Sequence, residues 1–185
     1  MSLELVSTLA SLATFVVIAL TAVAAMIQLR HMRSSNQIAI LTEFREEVSQ
    51  PDFRAALHLV RDFCAKLDDP QARAQLSEDP LPLPLGPYLR VAFLFENLGC
   101  FVKRGILDAN LVCDLWGPVV ISTWHIMAPA FVIQRRTRGV ALMENFEYLA
   151  YVSVQFSENY PTLYPRGTPR VAPEDRWLTE DTVTE

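Results

Sequence analysis

Residues 5–27 read LVSTLASLATFVVIALTAVAAMI, a run without one charged side chain. At a rise of about 1.5 Å per residue it reaches about 34 Å, enough to cross a hydrocarbon core about 30 Å thick. The stretch predicts one transmembrane helix, and the remainder of the chain is what that helix carries. Ala22, Val23 and Ala24 form an A-x-A triplet, but Glu4 precedes the run, no Lys or Arg does, and the run is longer than a usual signal core. A retained anchor is therefore expected. The nearest basic residues, Arg30 and Arg33 with His31 between them, follow the span. Positively charged flanks stay inside, so the N terminus is expected outside and the C-terminal domain in the cytoplasm.

Within the span Ser7, Ser11, Thr14, Ile18, Thr21 and Ala25 recur at alternating steps of four and three, with Gln28 next in the series. That spacing puts them on one seam of a helix. Leu5, Leu9, Leu12, Val16, Val23 and Ile27 form the opposite seam. Small and hydroxylated side chains let membrane helices approach closely and hydrogen-bond, which reads as docking on another transmembrane helix. The same residues are also tolerated in any membrane helix, because Ser and Thr bond back to their own carbonyls. The spacing leaves both readings open.

The chain has 185 residues and a net charge of −5. Without the span about 150 residues remain, the size of one domain with a real core. An acidic chain offers no concentrated basic surface for phosphates, so nucleic acid is not an expected partner. Cys64, Cys100 and Cys113 make no CxxC pair and sit in apolar helical patterns, which predicts reduced, buried thiols. A carboxylate-bridged diiron site needs Glu-x-x-His, yet Gln28, Ala55 and Ser122 stand three residues before His31, His58 and His125. HExxH, GxxxxGK[ST], GxSxG and GxGxxG do not occur either. No catalytic, metal-ligating or cofactor-binding residue is therefore predicted, and no small-molecule substrate is identified.

Neither Gly nor Pro occurs between Ser2 and Gln50, and Leu41, Phe44 and Val48 recur at three and four. One unbroken helix to about Ser49 follows, weakest at Ser34, Ser35 and Asn36. Pro51 opens a second helix whose apolar face is Phe53, Ala56, Leu57, Val60, Cys64 and Leu67. Residues 71–77 fit a short helical turn. Prolines at 80, 82, 84 and 87 then make residues 78–87 an extended strap, packed over the domain rather than offered to an SH3-like partner. Residues 88–104 are apolar on nearly every side and predict a central helix closed by Lys103, Arg104 and Gly105. Asp108 caps a short helix expected to stop at Gly117 and Pro118. Another helix follows to about Arg136, kinked or split after Met127 by Pro129. The last helix spans about 139–159 with Leu142, Phe146, Leu149, Ser153, Phe156 and Tyr160 as its seam, and residues 161–185 form an irregular acidic tail.

Three polar positions stand out. Glu96 is expected to pair with Arg104 or Arg90, or to point out of the bundle, rather than to be a buried acid with a raised pKa. His125 reads as a packed histidine bonded to a carbonyl, and His31 lies at headgroup level. Arg135, Arg136 and Arg138 follow Gln134 at a helix C terminus, where exposed arginines complement the helix dipole. Beside Arg30 and Arg33 they are equally suited to contact lipid headgroups.

Residues 93–129, FLFENLGCFVKRGILDANLVCDLWGPVVISTWHIMAP, carry a Phe-Glu-Asn-Leu-Gly helix, a Lys-Arg-Gly-Ile-Leu-Asp turn and a Trp-x-x-x-x-Pro helix with arginines after it. In these features the chain resembles an uncharacterised bacterial family of small proteins with one N-terminal membrane helix and an all-helical cytosolic domain, a domain of unknown function. The resemblance implies architecture and an inner-membrane location, and it transfers no catalytic residue. The expected fold is all-α: a transmembrane anchor at 1–33, a cytosolic bundle of about five helices at 34–160, and the tail. The expected function is non-catalytic, as an accessory or structural subunit of a larger inner-membrane complex, respiratory, photosynthetic or transport. Its partners would be membrane lipids and other transmembrane subunits. The alternative is a membrane-tethered adaptor that binds a soluble cytosolic protein.

Overall fold

The computed structural model describes residues 3–165 and 167–171, and these contain helices and connections but no strand. Helix α1 (Leu3–Ser49) runs 47 residues without a break, through the Ser34 to Asn36 region, a rod about 70 Å long. Its two ends have different surroundings. Ala10–Leu29 is 0% buried, whereas Leu41 and Phe44 are 9% and 6% exposed and belong to the core.

Five further helices build that core: α2 (Pro51–Cys64), α3 (Pro70–Ser77), α4 (Gly86–Lys103), α5 (Ala109–Arg138) and α6 (Glu144–Asn159). Pro51 opens α2, which buries Phe53, Ala56 and Val60 as the periodicity predicts. Leu67 lies beyond its end yet still packs on the core. Asp69 caps α3 by accepting from the Gln71 amide at 2.9 Å. The strap carries a 3-10 turn at Leu83–Leu85, with Leu85 buried and Leu83 95% exposed. Gly86 and Pro87 belong to α4 rather than to the strap, since proline is compatible with a helix's first turn. The centre of the domain is aromatic. Phe95 stacks on Phe146 at 4.9 Å, and Trp124 and Phe131 meet Phe146 edge-on at 5.2 and 6.0 Å.

Two further boundaries differ from the sequence expectation. α5 does not stop at Gly117 and Pro118 or divide after Met127, but continues for 30 residues with both prolines inside it. Pro118 and Pro129 are exposed, as are Asp114 and His125 four residues before them. The carbonyls that lose a helical donor therefore face solvent, where water replaces the bond. Gly117 is buried against α6, where a Cβ would lie 3.9 Å from the Ser153 Cβ. Helix α6 begins at Glu144, not at Gly139. Gly139 at φ 90° and Met143 at φ 55° form a turn instead, and Met143, only 4% exposed, pegs that turn into the core. The tail has no helix over 161–165 and 167–171, and residues 172–185 lie outside the described residues.

Among the described residues two helices are long and apolar enough to cross a membrane. Ala10–Leu29 has a mean hydropathy of 2.4, and α5 has 1.4 with 39% of its window buried.

All three cysteines are free thiols, with Cys113 buried and Cys64 and Cys100 half-buried. Burial pushes the Cys64 thiol from 9.0 up to about 11. Burial also raises the Tyr88 hydroxyl well beyond its ordinary range, and nearby Cys64 adds to the rise. Both groups fold in their neutral, protonated forms, so the unfolded chain loses these protons first. The stability Cys64 contributes is complete below pH 9 and is lost as pH rises towards 11, while that of Tyr88 begins to be lost only above pH 10. The midpoint of chemical unfolding is expected to fall across that window, and less steeply in Cys64→Ala. Equal slopes in the two proteins would remove Cys64 from the account.

Candidate functional site

One of the surfaces that join α1 to the rest of the domain lies between α1 and α4. Arg90, at the start of α4, reaches Glu47 with its Nε at 2.7 Å and Gln50 with an Nη at 3.1 Å. Its guanidinium also stands 6.0 Å from the centre of the Phe53 ring. Further along α4, Phe95 meets Phe44 edge-on at 6.0 Å, and Trp116 of α5 closes on Phe44 at 4.8 Å. Contacts that pass from Glu47 to Phe44 on α1 while passing from Arg90 to Phe95 on α4 make the two helices antiparallel. Between them runs a groove of about 690 Å³. Ile40, Phe93, Leu94, Leu98 and Phe101 supply its apolar surface, and Glu43, Glu46 and Glu47 its α1 rim.

Glu96 and Gly99 of α4 meet α6 instead. Met143 precedes α6 and offers no side-chain cap. Glu96 supplies one from α4: its carboxylate accepts from Asn145 Nδ2 at 2.7 Å and from the Phe146 amide at 2.9 Å. A carboxylate at a helix N terminus satisfies an orphan amide and opposes the positive end of the dipole. This replaces both expected arrangements, since Glu96 is half-buried and its partners belong to α6, while Arg90 is engaged by Glu47. Gly99 lets α6 come this close. A Cβ there would lie 2.0 Å from the Asn145 carbonyl oxygen. Lys103 adds contacts at 3.2 Å to Glu144 and 3.1 Å to Asn145.

The seam of small and hydroxylated residues in α1 is open. Ser7, Ser11, Thr14, Ile18, Thr21 and Ala25 are all exposed, as are Leu12, Val16, Val23 and Ile27 on the other side. The Thr14 hydroxyl donates to the Ala10 carbonyl at 2.9 Å and that of Thr21 to Val17 at 2.8 Å. Their protons are used within the helix, and the oxygens keep lone pairs to accept from a neighbour.

The side chains of Arg30 and Arg33 lie outside the described residues. Arg135 donates from Nε to the Leu142 carbonyl at 2.9 Å and pairs with Glu147 at 2.6 Å. Arg138 donates to the Glu78 carbonyl and lies 3.7 Å from Asp79. Of that run Arg136 is exposed, while Gln134 is buried with its Oε1 accepting from the Tyr88 hydroxyl at 2.8 Å. His125 is exposed rather than packed, because its helical position falls on the outer face shared by Pro118 and Pro129. Among the described residues no three His, Cys, Asp or Glu side chains gather as metal ligands would.

Two residues with structural work at this junction, Gly99 and Asn145, carried no role in the sequence reading. A glycine inside an apolar helix was the available signal.

No curated protein matches the chain, and no solved structure does. Residues 11–152 match a family described as a domain of unknown function, DUF4760. The match begins inside the apolar stretch of α1 and ends inside α6, so it takes in most of that stretch and all of the junction described above. The chain belongs to the DUF4760 family.

Proposed function

We propose that this protein is a non-catalytic, single-pass membrane subunit that docks through α1 on other transmembrane subunits of an inner-membrane complex and presents its helical domain on the cytoplasmic side. The observation that carries the reading is the division of α1. Ala10–Leu29 is entirely unburied, while the same unbroken helix is locked to the domain by Leu41, Phe44 and the Glu47–Arg90 pair. An apolar surface of that length needs lipid or protein around it, and a stiff joint transmits the position of the anchor to the domain. The family match, which starts within the span, supports anchor and domain as one unit. Helix α5 reads as a core helix, since Val112, Val120, Met127 and Phe131 are fully buried. The polar groups inside the helices hold the bundle together: Glu96 caps α6, Gln134 accepts from Tyr88, and Cys113 meets Ser153 at 3.6 Å. Arg30 and Arg33 after the span support a cytoplasmic domain.

Purification in mild detergent, followed by mass spectrometry, is expected to recover other membrane subunits in stoichiometric amounts. Ser11→Leu combined with Thr14→Leu should lower their recovery by roughly threefold to thirtyfold, the range set by one or two interhelical contacts. Membrane insertion should be unchanged. Undiminished recovery would mean that this seam does not dock, a soluble partner in place of membrane subunits would favour the adaptor reading, and a lone monomer would refute both.

A further inference from the structure

We propose that the groove between α1 and α4 receives a basic amphipathic helix, the membrane-proximal cytoplasmic segment of a neighbouring subunit. The inference rests on the subunit reading and names the chemistry of the partner.

Charge decides the occupant. Four charged side chains line the groove, Glu43, Glu46 and Glu47 against Arg90. Arg90 is spent on Glu47, at 2.6 Å. Glu43 and Glu46 remain, both exposed and in no ion pair among the described residues. They stand three positions apart on one helix, about one turn, so they form a rim that repels phosphate headgroups and acidic peptides and attracts cations at i and i+3 or i+4.

Shape and depth complete the description. Phe93 lies in the groove yet is 51% exposed, and beneath it Phe44 and Leu98 are 6% and 2% exposed. Bulky apolar groups on one stripe of an incoming helix would cover Phe93, and their flanking Lys or Arg would meet the rim, which is the helix-in-groove mode of recognition. The channel between two antiparallel helices also matches the place a third helix takes in a bundle. Ile40 and Gln50 lie 11 and 21 residues beyond Leu29, so the groove begins about 16 Å and ends about 31 Å past the span along α1. A neighbouring membrane helix that continues out of the bilayer arrives at that height. Its cytoplasmic flank is the part enriched in Lys and Arg.

The test places a photoreactive phenylalanine analogue at position 93 of the full-length chain, irradiates cells, purifies the complex in mild detergent and sequences the cross-linked peptide. The expected adduct is a segment of a co-purifying membrane subunit, close to its span, with apolar residues at helical spacing and at least two Lys or Arg. Glu43→Lys with Glu46→Lys should cut the adduct about tenfold or more, whereas Asp62→Lys with Asp68→Lys, an exposed acidic pair elsewhere, should leave it unchanged. Circular dichroism of both variants confirms that the domain is folded. An intact complex whose adduct is lipid, a second copy of this chain or an acidic segment, or that forms no adduct, overturns the groove assignment and leaves the subunit reading standing. A lone monomer without adduct overturns both.

Discussion

Gly99→Ala is expected to destabilise the domain by about 3–5 kcal/mol and to lower the thermal midpoint of the full-length protein in detergent by about 6–20 °C. One methyl group has this effect because of what it meets. The added Cβ would lie 2.0 Å from the Asn145 carbonyl oxygen and 2.5 Å from its carbon. These are backbone atoms at the first turn of α6, with no rotamer to turn aside, so α4 and α6 must separate. Separation loosens the Phe95–Phe146 stack at 4.9 Å and the two hydrogen bonds of Glu96. Overpacking alone costs about 1–3 kcal/mol, and an aromatic pair adds about 0.5–1.5. A domain of this size has only about 8–20 kcal/mol in total. Gly86→Ala is the matched control. A Cβ at Gly86 meets nothing within 4 Å, and its φ of −52° suits any residue, so that variant should melt within a few degrees of the wild type. Circular dichroism at a helical wavelength reads both. If Gly99→Ala melted with Gly86→Ala, the close approach of the two helices would be refuted.

The legibility of this fold followed the range of the interaction concerned. α1 was readable because continuity is a local property, and no Gly or Pro interrupts 3–49. The α2 face and the Asp108 cap, which accepts from the Leu111 amide at 2.9 Å, are local as well. At Pro118 the local rule and the tertiary contacts disagree, and the contacts win. Val112 and Val120, on either side of Gly117 and Pro118, are both fully buried, so a break there would remove one of them from the core. The proline's cost falls on a solvent-facing carbonyl, where it is small. Ala10–Leu29 is exposed on every side, so burial does not set Ser11, Thr14, Ile18, Thr21 and Ala25 apart from their neighbours. The junction of α4 with α6 was not visible. Glu96 and Phe146 are 50 residues apart, and Arg90 and Arg104, six and eight positions from Glu96, were the nearer partners on paper. The missing cap at Met143 held the clue, because a helix that starts without its own Ser, Thr, Asp or Asn must find an acceptor elsewhere.

Glu96→Ala should cost about 2–4 kcal/mol, the second large effect, and for a reason opposite to that of Gly99. Nothing clashes; two donors lose their acceptor. The Phe146 ring is fully buried, so removing the carboxylate leaves the Phe146 amide and the Asn145 side chain unpaired beside the core. Hydrogen bonds to a charged acceptor are worth about 1.5–3 kcal/mol, and the charge at a helix N terminus about 0.3–1 more. Glu96→Gln keeps an oxygen that can accept one of the two bonds but loses the charge, so its loss should be about half that of alanine. The order wild type, Gln, Ala in denaturant midpoint is thus the expected result. Two further measurements separate capping from a salt bridge. Arg104→Ala should leave the midpoint within about 0.5 kcal/mol of wild type, as a surface change does. In a double-mutant cycle Glu96→Ala and Asn145→Ala should couple by about 1 kcal/mol or more, since they share a bond. Hydrogen exchange at the Phe146 amide should also accelerate in Glu96→Ala before global unfolding, because the first turn of α6 frays when its cap is gone. If Arg104→Ala cost as much as Glu96→Ala while the Phe146 amide kept its protection, Glu96 would be an arginine's partner after all, and the start of α6 would owe its stability to the Met143 turn and to packing.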